Sequence, residues 1–202
     1  MRVILIGGTS HAGKSTLGLS LAERLAWDYL ATDSLARHPG RPWKNQNQDT
    51  VKKHVAQHYR NLSAQSLLED VLLHYRKNVF PQVKAIVSQR ITDAQQKCLV
   101  IEGSALLPEL AADLVEENLV GVIYLMASQK YFRDHIFSAS NFYSLGEDDQ
   151  LLIQKFLART ILYDQIIREQ SSKLDLTCMD TDSFSPEALL EQCLRLMEID
   201  MN

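Results

Sequence analysis

Residues 5–16, LIGGTSHAGKST, restrict the fold more than any other part of the chain. They continue the apolar run Val3-Ile4-Leu5-Ile6 and lead into GKSTLGLSLAERLA. There Leu17, Leu21 and Leu25 recur at four-residue spacing, on one face of a helix. Glycine weakens strand and helix interiors alike, so its concentration at a strand–helix junction needs a separate cause. Gly8-Thr9-Ser10-His11-Ala12-Gly13-Lys14-Ser15 has the spacing G-x-x-x-x-G-K-[ST]. Glycines bring main-chain N–H groups against a ligand with no Cβ in the way. A ring of such amides ending at a helix N-terminus suits phosphate oxygens. The stretch therefore reads as a site for a nucleoside triphosphate. Lys14 is expected between the β- and γ-phosphates, the Ser15 hydroxyl on Mg²⁺, and Thr16 near the α-phosphate.

The rest of the chain repeats the strand–helix alternation. Strands are predicted at 2–7, 27–33, 97–103, 119–128 and 174–182, several of them apolar on consecutive positions, as in strands buried on both faces. Between them, 50–61 is basic and polar. Ser63 can cap a helix with the stripe Leu67, Leu68, Val71, Leu72 and Tyr75, and Pro81 can open another. A mixed helical and loop region follows the fourth strand. A long amphipathic helix over 148–173 and a helix capped by Ser185 complete the pattern. Such alternation implies a parallel sheet covered on both sides, in one α/β domain over 1–202.

Composition excludes several function classes. A net charge of −4 opposes a general nucleic-acid binder. No apolar run approaches the roughly 20 residues of a membrane span, and VILI is too short for a signal-peptide core. Cys98, Cys178 and Cys193 lack metal-ligand spacing and have apolar neighbours, so they read as buried free thiols in a reducing, cytoplasmic setting. The expected partner is a small molecule, with no nucleic acid or membrane, for a monomer or homodimer.

On these residues the chain resembles P-loop kinases of the adenylate-kinase and shikimate-kinase type. The resemblance implies a three-layer P-loop NTPase fold with a five-stranded parallel sheet, an acceptor region over about 33–80 and a lid over about 129–148. It also implies ATP as co-substrate with Mg²⁺. ATDSLARHPGRPW (31–43) follows the second strand, where an acid lies beside the phosphate loop in this architecture. Asp33 can accept the proton of a substrate hydroxyl. Arg37, His38 and Arg41 offer cations to an anionic acceptor. CLVIEGSALLPE (98–109) ends a strand in Glu102, a carboxylate for Mg²⁺ or for the acceptor, and Gly103 turns the chain past it. EGSALLP with TDSLAR resembles 2-phosphoglycerate kinase, which implies Asp33, Arg37 and Glu102 as acceptor-site residues.

In the lid segment QKYFRDHIFSASNFY, Arg133 is the candidate for neutralising the transferred phosphate, beside Lys130 and His135. Arg159 lies on the long helix, in a stretch resembling one that carries an arginine in related kinases, and is expected on the nucleotide side. His54, His58 and His74 read as surface or core residues without metal-like partners. Lys52, Lys53 and Arg60 read as a solvated basic cluster. Trp27 and Trp43 flank the acceptor loop, and Tyr124 and Met126 read as sheet core. Three other readings stay open: a nucleoside or nucleotide kinase, an ATPase or GTPase switch, and a regulatory nucleotide-binding protein with no phosphotransfer. The guanine-specific N-K-x-D signature is absent; SKLDL is the nearest stretch.

Overall fold

Strand β1 (Val3–Gly8) is buried along its whole length and sorts its side chains by parity. Ile4 and Ile6 join one apolar cluster, Val3 and Leu5 another on the opposite face of the sheet. This two-sided burial explains the unbroken apolar run and requires helices on both faces. In the computed structural model, which describes residues 1–36, 38, 40–43, 51–115 and 119–198, that is the arrangement found.

Five strands form one parallel sheet: β1, β2 (Asp28–Ala31), β3 (Leu99–Glu102), β4 (Val120–Met126) and β5 (Thr177–Asp180), in the order β2-β3-β1-β4-β5. Against the Ile4/Ile6 face pack α1 (Lys14–Leu25), α2 (Lys53–Asn61), α6 (Gln129–Ser140) and α8 (Pro186–Leu196). They contribute Leu17 and Leu21, Val55 and Tyr59, Phe132 and Ile136, and Leu189. The Val3/Leu5 face takes Val71 from α3 (Ala64–His74) and Val83 and Val87 from α4 (Phe80–Thr92). The long α7 (Glu147–Lys173) serves both clusters, with Phe156 in the first and Tyr163 and Ile167 in the second. A short α5 (Pro108–Ala111) follows β3. The expected three-layer α/β fold with a five-stranded parallel sheet is thus observed. No described helix is long and apolar enough to cross a membrane.

Departures from the predicted elements have local causes. β2 stops at Ala31 because Thr32–Ser34 close a 3₁₀ turn, with the Ser34 hydroxyl donating to Ala31 O at 2.7 Å. Pro81 sits at the start of α4, as its missing N–H favours, yet the chain does not break before it. A π turn over Tyr75–Val79 carries α3 directly into α4. After β4 the expected mixture of helix and loop is found: the Ser128 hydroxyl accepts from Tyr131 N at 3.2 Å and caps α6, and a 3₁₀ turn over Phe142–Ser144 links it to α7. The thiols need correction too. Cys193 is buried and Cys98 half-buried, but Cys178 is exposed because β5 is an edge strand.

Candidate active site

Strand register brings three loops to one edge of the sheet. Ile6 of β1 and Ala31 of β2 both pair with Glu102 of β3, so the chain leaves all three strands side by side at their carboxyl ends. Ligands of open parallel sheets bind at such edges.

The loop after β1 is fixed by its backbone. Gly13 has φ 88°, a left-handed conformation that favours glycine, and starts α1 at Lys14. His11 takes the same region at φ 65°, unusual for a residue with a side chain. The Thr181 hydroxyl, at the end of β5, donates to Ala12 O at 2.8 Å and braces the loop from outside. Lys14 is only 7% exposed, and its Nζ donates back to Thr9 O at 2.8 Å. Burial lowers its pKa; the charges of Glu102 and Asp33 oppose that shift, and Arg41 adds to it. His11 packs near Trp43 and Phe156. Burial, aided by Arg41 and Lys14, lowers its pKa to about 4, so the ring is neutral at pH 7.

Glu102 is 5% exposed, and one of its oxygens, Oε1, accepts from Ser15 Oγ and Tyr29 Oη, each at 2.9 Å. Burial and that carboxylate push the Tyr29 pKa to about 12, which keeps the phenol a donor. Ser15 and Glu102 therefore present adjacent hard oxygens, a donor set that suits Mg²⁺. Gly103, at φ 155°, lets the next residues pass Thr32 closely; a Cβ there would collide with Thr32 Oγ1. The Tyr163 hydroxyl donates to Ser104 O at 2.6 Å and the Tyr124 hydroxyl to Leu106 O at 3.0 Å, holding this turn. Tyr124 and Met126 are core residues, as expected.

Two cavities open on this edge. The first, of 570 Å³, is lined by Ser10, His11, Gly13, Lys14, Ser15 and Thr16, and on its far side by Tyr131, His135, Asp182 and Phe184. The second, of 370 Å³, is lined by Thr32, His38, Lys52, His74, Tyr75 and Arg159. Ser10, Asp33, Arg41 and Ser104 belong to both walls, so the cavities adjoin across Asp33 and Arg41.

The expected residues divide among these places. Ser10, His11 and Gly13 through Thr16 line the first cavity, while Gly8, Thr9 and Ala12 complete the loop's backbone. Asp33 is exposed on its 3₁₀ turn, and Arg41 lies 5.9 Å from the centre of the buried Trp43 ring. Glu102 and Gly103 line the first cavity and His38 the second. Burial, with Arg159 and His74 adding to it, lowers the His38 pKa to about 4. Arg37 lies outside the described residues.

Three positions differ from the expectation. Arg159 lines the second cavity and not the one built on the glycine-rich loop. It is 8% exposed, donates to Tyr59 Oη at 3.0 Å and stacks 4.5 Å from the Phe156 centroid. Arg133 pairs with Asp134 on the exposed face of α6 and lines neither cavity; Tyr131 and His135, stacked at 3.9 Å, occupy that wall instead. His58, read as a surface or core residue without metal-like partners, lies beside His38 and Asp70. Tyr29, Tyr131 and Thr181 escape a sequence reading because they reach the edge from other strands and helices. Only the four-residue spacing of Tyr131 and His135 hints at a shared helix face.

No family model and no curated protein sequence matches this chain. Solved structures do. A gluconokinase from Sinorhizobium meliloti 1021 is 13% identical with TM-score 0.55, covering 97% of this chain and 91% of that one. The shikimate kinase from Aquifex aeolicus VF5 is 17% identical with TM-score 0.53, covering 97% and 96%. The shikimate kinase from Bacteroides thetaiotaomicron is 14% identical with TM-score 0.50, covering 98% of each. The chain has the fold of these P-loop small-molecule kinases, from its first strand to its last helix.

Proposed function

We propose that the chain is an ATP-dependent kinase moving the γ-phosphate to a hydroxyl of a small anionic metabolite, 2-phosphoglycerate-like in its charge. One observation carries the reading. A cavity built on the glycine-rich loop adjoins a second, cation-lined cavity, and a carboxylate and a guanidinium stand at their junction. The fold shared with a gluconokinase and shikimate kinases supports it.

In this reading the amides of Gly8 through Ser15 cradle the β- and γ-phosphates. Lys14 turns from Thr9 O to the phosphate oxygens, exchanging a neutral partner for charged ones. Ser15 and Glu102 would hold Mg²⁺, which neutralises phosphate charge when bound. Arg41, Lys52 and Arg159 hold the acceptor's anionic group and orient its hydroxyl toward the first cavity. The hydroxyl oxygen forms a bond to γ-phosphorus as the bridge to the β-phosphate breaks. Asp33 takes the hydroxyl proton, and ADP leaves. In the single domain we propose, α6 is the lid, with Tyr131 and His135 covering the nucleotide.

Incubation with Mg-ATP and pooled hydroxy acids, their phosphates and nucleosides tests this. ADP release that depends on a hydroxy acid or its phosphate, with a phosphorylated product by mass spectrometry, is the expected result. Equal ADP release without any acceptor would assign a hydrolytic switch, and dependence on nucleosides a nucleoside kinase; either contradicts the proposal.

A further inference from the structure

His38 and His74 line the second cavity, with His58 and Asp70 beside His38, and the proposed transfer uses none of the four. His38 lies on the loop after β2, His58 near the end of α2, and Asp70 and His74 one turn apart on α3. His38 Nε2 is 3.6 Å and His58 Nε2 3.4 Å from the same atom, Asp70 Oδ2. One donor atom from each of the three residues lies within 4.8 Å of the others. The 3.4 and 3.6 Å separations exceed those of good N–H···O hydrogen bonds, at about 2.7–3.2 Å. They do match a tetrahedral edge: donors about 2.0–2.2 Å from one ion stand about 3.3–3.6 Å apart.

The nitrogens themselves point the same way. Nε2 of His38, His58 and His74 is sealed from solvent with no hydrogen-bond partner among the described residues. Buried polar atoms are rarely left in that state. The Gly40 N–H donates to His38 Nδ1 at 3.5 Å, a long bond that is given up when Nδ1 takes the ring proton and Nε2 the ion. The half-exposed Asp70 carboxylate leaves a path for an ion to enter.

We propose that His38, His58 and Asp70 bind a divalent transition-metal ion of the zinc class, leaving a fourth position for water. Imidazole with one carboxylate selects such ions over Mg²⁺, which prefers oxygen throughout. The ion ties the loop after β2 to α2 and α3, three residues before Arg41, and so fixes the side of the cavity from which that guanidinium projects. The site is independent of the kinase reading, since none of its three ligands takes part in the proposed transfer.

The test uses the full chain, stripped with a chelator and kept in excess Mg²⁺ so that the Ser15–Glu102 oxygens are not counted. Titration with Co²⁺ should bind one equivalent and give the visible bands of a four-coordinate ion. One equivalent of Zn²⁺ should then bleach them. His58→Gln and Asp70→Asn should each weaken Zn²⁺ binding at least tenfold while far-UV circular dichroism stays unchanged. X-ray absorption of the Zn²⁺-loaded parent protein needs no variant to fold, and should show a nitrogen/oxygen shell containing two imidazoles. Failure to retain an equivalent, sulfur in that shell, or unchanged affinity in either folded variant would overturn the proposal.

Discussion

Asp33 is the carboxylate at which both cavities meet, exposed on the 3₁₀ turn that directly follows β2. Asp33→Asn keeps its size and removes the proton acceptor. Transfer should fall by about 10²–10⁴-fold, the usual worth of a positioned base, with Mg-ATP affinity unchanged. A parallel loss of ATP affinity would make Asp33 a nucleotide ligand instead. Gly103→Ala places a methyl on Thr32 Oγ1 in a backbone conformation that favours glycine. Urea denaturation should show a loss of about 1–3 kcal/mol, and no loss would mean the turn after β3 yields freely. His11 carries a pH signature. Its ring titrates near 4 in the folded chain and near its ordinary 6.5 when unfolded. Between those values the unfolded chain binds more protons, so stability falls as pH drops from 6.5 toward 4. His11→Asn tolerates the left-handed backbone and cannot titrate. Its melting temperature should decline less steeply than the parent's over that window, with His38 retaining part of the slope; equal slopes would exclude His11 as a source.

Among elements, those with capping chemistry are legible in the sequence. Ser63 and Ser185 each accept from the N–H three residues on, Ser66 at 3.1 Å and Ala188 at 3.2 Å, as their positions before apolar stripes imply. The end of α2 is not legible, because its cap comes from another helix. Lys155 Nζ on α7 donates to Tyr59 O, Arg60 O and Leu62 O at 2.8, 3.0 and 2.9 Å. Lys155→Met should cost about 1–3 kcal/mol in denaturant unfolding, since these carbonyls lose a charged donor. A neutral result would show that water replaces the ammonium. The π turn at Tyr75–Val79 is likewise hidden: Pro81 signals a helix start, but only packing decides that the chain before it stays helical. That turn keeps His74 and Tyr75 on the wall of the second cavity.

At the scale of the whole molecule, legibility follows sequence separation. Gly8 through Ser15 can be read directly because a glycine-rich strand-to-helix loop is a local backbone shape with residue types tied to it. The sheet can be read because strands buried on both faces leave unbroken apolar runs. Arg159 cannot be placed, as its hydroxyl partner Tyr59 is 100 residues away. The His38, His58 and Asp70 group is assembled from a loop and two helices with no spacing signature. The account as a whole depends on the first cavity accepting a magnesium-bound triphosphate. Calorimetric titration with ATP and with GTP, each with and without Mg²⁺, measures that directly. The account predicts saturable, magnesium-dependent heat with ATP that Lys14→Ala abolishes or weakens severely. No heat with either nucleotide, or heat indifferent to both magnesium and Lys14, would contradict it.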